Sequence, residues 1–256
     1  MSDTIKTLTH GNVGQVVLDR PEKMNALDRA TLDMLVDALR AFDSNSTIRA
    51  IVISGAKRAF AAGADIGALA SAGPVELYTS GFSDRWDDVA AIRKPIIAAI
   101  SGYALGGGLE LALICDIVVC ESSTVLGLPE TAIGVMPGAG GTQRLVRSVG
   151  KSMAMEIILA GRRLTAEEAL RVGIASTIAE EGTSEATALE IASRISTAAP
   201  LAISFAKQAV LQSQEMHLAA GIRFERALAS VLVASEDRAE GMVAFSERRT
   251  ARFIGR

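Results

Sequence analysis

Residues 95–120 read PIIAAISGYALGGGLELALICDIVVC, and this stretch decides the fold. Continuous apolar runs at 95–100 and 116–120 predict two strands that are buried on both faces. Between them, three consecutive glycines at 106–108 lead into a helix pattern that carries Glu110 in its first turn. Because each glycine costs roughly 0.5–1 kcal/mol relative to alanine in a regular element, the turn must need all three. A strand, a turn, a helix and a second strand in this order indicate an α/β protein.

The alternation of strands and helices extends over the first half of the chain and then stops. Further strands are predicted at 5–9, 13–18, 49–54 and 124–127, with helices at 28–42 and 74–92. After about residue 140 the patterns are helical, at 141–160, 165–172, 185–197, 201–233 and 236–248. The alanine- and leucine-rich tail from residue 201 predicts a separate layer that packs on the core or on a neighbouring subunit.

Composition and charge exclude several classes of function. The 256 residues carry a formal net charge of −3, which provides no basic face for nucleic acid or for an anionic membrane. The N-terminus lacks a secretory pattern and no apolar stretch reaches spanning length, so we expect a cytoplasmic protein. Cys115 and Cys120 lie in an apolar run and are expected to be free thiols in the core.

Histidine and nucleotide-binding motifs offer little chemistry. His10 and His217 are the only histidines, one near the terminus and one in the helical tail. Histidine-based catalysis and a multi-histidine metal site are therefore not expected. The glycines do not have the spacing of a dinucleotide fingerprint, and no P-loop lysine follows them. Acid–base chemistry then falls to carboxylates.

Two glutamates stand out by their surroundings. Glu110 follows the glycines at a helix start, where free N–H groups favour the ionised carboxylate. Glu130 is the only charged residue in VLGLPETAIGVMPG, so burial is expected to favour its protonated form. Environments that push two carboxyls in opposite directions predict a base and an acid. The alternative is that Glu110 only caps its helix and that Glu130 lies on a solvated turn.

A second turn rich in small residues, RAFAAGADIGAL at 58–69, follows the strand at 49–54. Small side chains allow a ligand to approach backbone N–H groups closely. Donors from this turn and from the glycine turn could together bind one oxyanion. An ordinary tight loop is the alternative interpretation.

Four segments together resemble the crotonase family, also called the enoyl-CoA hydratase/isomerase superfamily. They are RPEKMNAL at 20–27, AFAAGADI at 59–66, KPIIAAISGYALGGGLELALICDI at 94–117 and GLPETAIGVMPGAGGTQRL at 127–145, and EGMVAFSERR at 240–249 extends the match. The resemblance implies a crotonase-like spiral of ββα repeats with a helical C-terminal region. It implies a core with the active site at 1–200, a helical oligomerisation region at 201–256, and a trimer or a dimer of trimers.

Within that family the chain most resembles an enoyl-CoA hydratase, because Glu110 and Glu130 match both glutamates of the hydratase pair. The resemblance implies that water adds across the 2,3 double bond of a trans-2-enoyl-CoA to give a 3-hydroxyacyl-CoA. Glu110 would act as base on the water and Glu130 would deliver a proton to C2. The N–H groups of Ala64 and Gly107 would form the oxyanion hole for the thioester oxygen.

Other positions of the matched motifs are expected to contact the acyl-CoA substrate. Arg248 matches a coenzyme-binding lysine, Lys23 borders the coenzyme, and Phe245 is the candidate for stacking on adenine. Four arginines against Glu247 alone give residues 241–256 a balance of +3, which suits phosphate binding. A solvated charged surface is the alternative for Lys23 and Arg248. The remaining expected substrate contacts are Met24, Ala26, Ala62, Asp65, Ile66 and Gly138, and the segment 71–86 is expected to border the acyl chain.

Other functions compete with hydration. Double-bond isomerisation, or hydration specialised for one pathway's acyl group, would use the same scaffold. RNA binding is not favoured, because the helix at 28–42 sets only Arg29 and Arg40 against three aspartates. Retention of both glutamates argues against an inactive interaction subunit. Neither a metal nor a cofactor is expected, since coenzyme A is part of the substrate.

Overall fold

A computed structural model describes residues 4–56, 58–65, 73, 75, 79, 81 and 83–256, and within them two sheets form the scaffold. The larger sheet has the order β1 (Ile5–His10), β2 (Val13–Leu18), β3 (Ala50–Gly55), β5 (Ile96–Ile100), β7 (Ile117–Glu121) and β10 (Thr177–Ala179). The smaller has the order β4 (Ala59–Ala61), β6 (Tyr103–Leu105), β8 (Val125–Gly127) and β9 (Leu164–Thr165). Only the β1–β2 and β8–β9 pairs are antiparallel, and the other pairs are parallel.

The chain alternates between the two sheets. In each of the pairs β3–β4, β5–β6 and β7–β8, the first strand joins the larger sheet and the second joins the smaller one. Helix α3 (Gly107–Ile114) follows β6, and α4 (Gly141–Val149) follows β8 after a 3-10 turn, Glu130–Ile133. Each ββα turn therefore advances both sheets by one strand, which is the expected spiral within an α/β fold.

The central strands are buried on both faces, as their continuous apolar runs predict. Ile51 and Ile53 of β3 face the main core, whereas Ala50 and Val52 face a second apolar cluster. Helix α7 (Ser184–Ser196) covers that second face, mainly through Ala188 and Ala192. Because the sheet is covered on both sides, alternate residues are equally apolar.

The remaining helices surround this scaffold. Helix α1 (Arg29–Ser44) is capped by Asp28, whose carboxylate accepts the N–H of Thr31 at 2.9 Å. The other described helices are α2 (Asp84–Ala90), α5 (Lys151–Leu159), α6 (Ala166–Arg171), α8 (Pro200–Gln212), α9 (Leu218–Leu232) and α10 (Glu236–Glu247). All six predicted strands agree with the observed ones to within one residue at each end.

Two long predicted helices are wrong, because each is broken. The prediction at 141–160 is two helices, since Gly150 at their junction takes a left-handed φ of 76°. The prediction at 201–233 breaks after Gln212, where successive N–H groups bond three residues back, as Gln214 does to Leu211 at 3.1 Å. Part of the prediction at 74–92 lies outside the described residues, and α2 lies in the C-terminal part of that range.

The C-terminal helices are joined to the core by a buried ion pair. Lys207 of α8 places Nζ 2.7 Å from the Asp116 carboxylate and donates to the Lys94 carbonyl at 2.9 Å. Asp116 also accepts the N–H of Ile96 at 2.7 Å. This contact fixes α8 beside the start of β5 and β7. No helix in the described ranges has the length and apolar character needed to cross a membrane.

Both cysteines are free and buried, as expected from their apolar run. Burial raises the pKa of the Cys120 thiol to about 12. Cys115 is buried in the same way, and its pKa is also raised. These thiols are therefore inert core side chains.

Candidate active site

The three glycines at 106–108 are required for three different reasons. Gly106 has φ 51° and ψ −127°, a conformation that favours glycine. Gly108 packs against β4 so closely that a Cβ there would overlap the carbonyl oxygen of Ala61. A Cβ on Gly107 would lie 3.4 Å from the Trp86 ring and 3.5 Å from the nitrogen of Ala64, so a side chain there would fill the space in front of that nitrogen. The middle glycine therefore leaves a gap in front of a backbone donor.

Two unpaired N–H groups border this gap. Gly107 is the first residue of α3, so its N–H has no partner within the helix. Ala64 forms a bridge with Leu27 that does not use the Ala64 N–H. Its two hydrogen bonds run from the Leu27 N–H to the Gly63 carbonyl at 2.8 Å and from the Asp65 N–H to the Leu27 carbonyl at 3.2 Å. Among the described residues, neither the Ala64 nor the Gly107 N–H donates to a protein acceptor. The two turns thus present two donors to one space, as an oxyanion hole requires.

The two turns are in direct contact. Gly63 has φ 112°, and a Cβ there would lie 3.2 Å from the Leu105 carbonyl and 3.7 Å from the Gly107 nitrogen. Small residues at 61–64 therefore allow the backbones to approach each other, not only a ligand to approach them.

Glu110 is buried, with 4% of its surface exposed, and its carboxylate binds a segment far along the chain. Oε1 accepts the N–H groups of Ala139 and Gly141, each at 2.8 Å. Gly141 is the first residue of α4, so the carboxylate caps that helix and not its own. A Cβ on Gly141 would lie 2.9 Å from Oε1, which explains the glycine. Oε2 has no hydrogen bond within the described chain and is free to accept a proton.

The expectation that the surroundings of Glu110 favour its ionised form is wrong, because their net effect is to raise its pKa. Burial raises the pKa of Glu110, and the N–H groups of Gly141 and Ala139 and the charge of Arg144 offset only part of this. The free N–H groups of α3 do not contribute, because the carboxylate points to α4. The two glutamates are therefore not pushed in opposite directions.

Glu130 begins the 3-10 turn and points its carboxyl toward the glycine turn. A Cβ on Gly106 would lie 3.2 Å from Glu130 Oε1. Oε2 of Glu130 is buried and has no hydrogen-bond partner among the described residues. Burial raises the pKa of Glu130 to about 7, and the negative charge of Glu110 adds to the effect. A carboxyl that is about half protonated at neutral pH agrees with the expected direction of the shift, although residues 131–136 of the turn that follows are exposed.

Trp86 of α2 closes one side of the gap. Its ring is 4% exposed, and Cη2 and Cζ2 lie 3.4 and 3.6 Å from the Cβ position of Gly107. Of the segment 71–86 that was expected to border the acyl chain, half of the residues lie outside the described ones. Trp86, the only tryptophan of the chain, lies at the site.

The loop at 20–27 lies against the residues before and after Ala64. The N–H of Ala62 donates to the Met24 carbonyl at 3.0 Å, and Ala26 donates to the Lys23 carbonyl at 3.1 Å. Lys23 places Nζ 2.9 Å from the Asp65 carboxylate. The structure thus brings together Lys23, Met24, Ala26, Ala62 and Asp65. Ile66 lies outside the described residues, and Gly138 is exposed directly before Ala139.

Two residues that hold this loop were missed by the sequence analysis. Asn25 is buried with φ 57°, and its amide donates to the carbonyls of Ala59 at 2.6 Å and Ala56 at 3.2 Å. Arg20 lies 2.8 Å from Asp28 and 3.2 Å from Asp65. Both belong to the motif RPEKMNAL, but nothing local in that motif shows which partners they bind.

The expected coenzyme contacts near the C-terminus lie at the end of α10. Phe245 is 85% exposed on α10, and Arg248 ends that helix with φ 56°. The described hydrogen bonds and ion pairs connect neither residue to the glutamates or the glycine turn.

The positive balance of residues 241–256 is also reduced by neighbouring carboxylates. Arg249 pairs with Glu240 at 2.7 Å and with Glu247 at 2.6 Å, and Arg256 pairs with Glu236 at 3.3 Å. Glu236 and Glu240 lie just before the window that was counted, which is why the balance of +3 overstates the local charge.

The fold and the site together define an α/β enzyme that can bind an oxyanion between two N–H groups and move protons with two buried carboxyls. In the described part of the chain, no three His, Cys, Asp or Glu side chains cluster as metal ligands do.

Comparison with known proteins gives the family. Residues 9–256 match the family model described as enoyl-CoA hydratase/isomerase. The chain is 45% identical to a probable enoyl-CoA hydratase of Rhizobium meliloti (strain 1021), over 98% of each chain. It is also 45% identical to the 2,3-dehydroadipyl-CoA hydratase of Escherichia coli (strain K12), over 94% of each chain. The crystal structure of enoyl-CoA hydratase subunit I from Geobacillus kaustophilus HTA426 matches with a TM-score of 0.96 and 42% identity, over 99% of this chain and 98% of that one. The chain belongs to the enoyl-CoA hydratase/isomerase family.

Proposed function

We propose that this protein is an enoyl-CoA hydratase that adds water across the 2,3 double bond of a trans-2-enoyl-CoA thioester to give a 3-hydroxyacyl-CoA. The observation that carries the proposal is the pair of buried carboxyls beside two unpaired N–H groups. Relatives over nearly the full length of the chain are named as hydratases. An isomerase needs to move one proton between two carbons, whereas hydration uses a base for water and an acid for carbon.

The N–H groups of Ala64 and Gly107 bind the thioester oxygen of the substrate. Negative charge develops on that oxygen as the enoyl group becomes an enolate, so donors fixed in advance favour the transition state over the substrate. Trp86 and the small residues around Ala64 exclude water from the same space. This makes each donor worth more than it would be in solvent.

The two glutamates move the protons. Glu110, held by two N–H groups at Oε1, takes a proton through Oε2 from a water whose oxygen bonds to C3 of the substrate. The electrons of the double bond pass to the thioester as an enolate. Glu130, about half protonated at neutral pH, gives its proton to C2. One molecule of water is consumed, and the proton left on Glu110 is lost to solvent while Glu130 takes one up before the next turnover, so no oxidant or reductant is needed.

The test is loss of the conjugated enoyl thioester absorbance in the presence of the purified protein, with the 3-hydroxyacyl product identified by mass spectrometry. Glu110→Gln and Glu130→Gln should each lower kcat by at least about 10²-fold, because an amide cannot take or give the proton. Glu121→Gln is the matched control, since Glu121 is equally buried but bonds to Ser184 at 2.8 Å, away from the site. Near wild-type turnover in either site variant would exclude the two-carboxylate mechanism.

Isomerisation is the competing reaction on this scaffold. A trans-3-enoyl-CoA converted to its 2-enoyl isomer faster than crotonyl-CoA is hydrated would replace the proposal. A panel of 2-enoyl-CoAs from C4 to about C16, with 2,3-dehydroadipyl-CoA as a carboxylate-terminated member, gives the acyl preference through kcat/KM. The dehydroadipyl substrate belongs in the panel because an E. coli relative is named for it.

The reaction as proposed uses no metal and no cofactor. Dialysis against a chelator should therefore leave kcat unchanged. Lys23, Arg248 and Phe245 stay proposed contacts to the coenzyme part of the substrate, and nucleic acid is not a proposed partner. We propose that the protein acts in the cytoplasm, a reducing compartment that suits its two free cysteines.

The same proposal includes self-assembly, as a trimer or a dimer of trimers. Helices α8 and α9 bury none of their residues, although both are rich in apolar side chains. Val210, Leu218 and Val231 are 67%, 80% and 56% exposed. Contiguous exposed apolar side chains of this kind mark contact surfaces, and identical copies are the commonest partner. The region 201–256 is therefore the proposed oligomerisation region, and 1–200 the proposed core.

A further inference from the structure

The segment that binds Glu110 is itself held by one side chain of α4. Ala139 and Gly141 supply the two N–H groups on Oε1 of Glu110, and both flank Gly140, which has φ 97°. Arg144 donates from NH1 to the Ala139 carbonyl at 3.0 Å. A Cβ on Gly140 would overlap this same NH1, so the guanidinium lies directly over the turn. Arg144 therefore holds the Ala139–Gly140 peptide, which lies between the two peptides whose N–H groups face the carboxylate.

The charge of Arg144 is not neutralised by an ion pair. No carboxylate lies within ion-pair distance of it in the part of the chain that the structure describes. Of the elements packed on α3, the 3-10 turn contributes the charged group Glu130, and α4 contributes Arg144. On α2, Arg85 and Asp88 are engaged elsewhere, since Arg85 pairs with Asp88 at 3.0 Å and Arg40 of α1 pairs with Asp88 at 2.7 Å, and Asp84 and Asp87 are its remaining charged groups. Arg144 is thus the positive group that acts on Glu110.

We propose that Arg144 is a positioning residue for the general base: it holds the Ala139 carbonyl so that two N–H groups stay on Glu110, and its unpaired charge favours the ionised carboxylate. The role as base rests on the proposed function, whereas the effect on Glu110 does not. Arg144 acts through Glu110 and touches neither substrate nor water. Loss of the guanidinium removes both the orientation of the turn and the charge that opposes burial.

A purely structural role for Arg144 is the competing explanation, and the same helix supplies a control. Arg147, one turn further along α4, donates from NH1 to the Gln143 carbonyl at 2.9 Å and is exposed. It makes the same kind of bond to the backbone but does not face Glu110. Arg147→Met therefore measures what the loss of such a bond costs the helix alone.

The first experiment is the pH profile of kcat/KM for crotonyl-CoA in the wild type, Arg144→Met, Arg144→Lys and Arg147→Met. In Arg144→Met the acidic limb should move upward by about one pH unit, the scale of a lost opposite charge, and the plateau should fall by about tenfold or more. Arg144→Lys keeps the charge but not the planar fork, so its limb should stay in place while its plateau falls. Because Glu110 and Glu130 titrate as a coupled pair, the position of the acidic limb is compared between variants and is not assigned to one carboxyl.

An unchanged limb and plateau in Arg144→Met, or an equal loss in Arg147→Met, would overturn the inference. If Arg144→Met fails to fold, the decision passes to Arg144→Lys, for which a wild-type plateau would overturn it. If the wild type hydrates no enoyl-CoA, the proposed function fails, and a measurement without substrate decides the role of Arg144.

That measurement is the change in thermal midpoint caused by Glu110→Gln, at pH 5 and at pH 8, in three backgrounds: the wild type, Arg144→Lys and Arg144→Met. The pKa of Glu110 is raised by burial, so its ionisation costs stability as pH rises, and the amide removes that cost. The rise in thermal midpoint that Glu110→Gln causes should increase from pH 5 to pH 8, and this increase should be larger in Arg144→Met than in the other two backgrounds. An equal gain in all three would show that Arg144 does not act on the charge of Glu110.

Discussion

At the scale of single residues, burial raises the pKa of both Glu110 and Glu130. The two carboxyls therefore differ in their hydrogen bonds and not in the direction of the pKa shift. Glu110 gives one oxygen to two N–H groups, whereas an oxygen of Glu130 is buried with none. When the pair holds a single proton, that proton therefore stays on Glu130. The proposed base and the proposed acid are therefore distinguished by the N–H donors of residues 139 and 141, and not by opposite shifts of their pKa values.

The unpaired oxygen of Glu130 predicts a dependence of stability on pH. Its pKa in the folded protein is about 7, above that of an ordinary glutamate, so its ionisation destabilises the fold as pH rises through about 7. Glu130→Gln should therefore be more stable than the wild type at pH 8, by roughly 1 kcal/mol after allowance for partial exposure. At pH 4 the two should differ little, because both carry a neutral group. Denaturant unfolding at both values checks this, and a gain that is larger at pH 4 would contradict it.

Gly107 provides a second prediction at this scale. A Val side chain there would lie against the Trp86 ring and fill the space in front of the Ala64 nitrogen, since its Cβ lies 3.4 and 3.5 Å from them in ordinary contact. Gly107→Val should then cost about 3 kcal/mol or more of transition-state stabilisation while the protein stays folded. Gly108→Ala is the contrast, since its Cβ would overlap the Ala61 carbonyl and should lower stability instead. Kinetics and thermal unfolding of both variants separate the two effects, and normal turnover in folded Gly107→Val would exclude the oxyanion role.

At the scale of elements, sequence patterns predict what is local and miss what is distant. The strand at 13–18 is predicted without error, because its run is mostly apolar and both faces are buried, Gln15 included. The strands Ala59–Ala61 and Tyr103–Leu105 are too short for any period to emerge, and the sequence presents them as turns. Gly150 is a visible break, yet the apolar spacing on either side of it continues as one helix pattern.

The residues of the site divide in the same way, into those that local sequence predicts and those that depend on distant contacts. The glycine turn and the apolar surroundings of Glu130 are local, so both were predicted. The donors to Glu110 come from about 30 residues further along the chain, and no pattern near Glu110 shows that its carboxylate caps α4. Arg144 and Trp86 belong to the site for the same reason, and only the folded chain places them there.

The C-terminal helix α10 has its own prediction. If Arg248 binds a coenzyme phosphate, Arg248→Ala should raise KM for an acyl-CoA and leave kcat nearly unchanged, because the contact is equal in ground and transition states. The effect should weaken as salt rises and vanish for a truncated thioester without the nucleotide. Arg238→Ala, also on α10, is the control. An equal rise in KM for full and truncated substrates would mean that Arg248 acts through structure.

At the scale of the whole molecule, the exposed apolar side chains of α8 and α9 predict the assembly. Leu218→Lys combined with Val231→Lys should lower the molar mass in solution, since charges cannot be buried without partners. Leu8→Lys is the control, because Leu8 is also exposed but lies on β1 at the far edge of the larger sheet. Light scattering after size exclusion measures the mass. A monomeric wild type, or a double variant with the wild-type mass, would contradict the proposed assembly.

The single tryptophan makes the site optically distinct from the rest of the chain. Trp86 is the only indole, and its ring borders the gap between Gly107 and Ala64. Emission excited at the red edge of the absorption band therefore comes from one ring, at the place where a thioester would bind. A ligand in the gap would change the polarity around that ring without touching the helical tail. Glu110→Gln, in which turnover is blocked, then allows acyl-CoA affinity to be titrated by fluorescence, with no label and no interference from product.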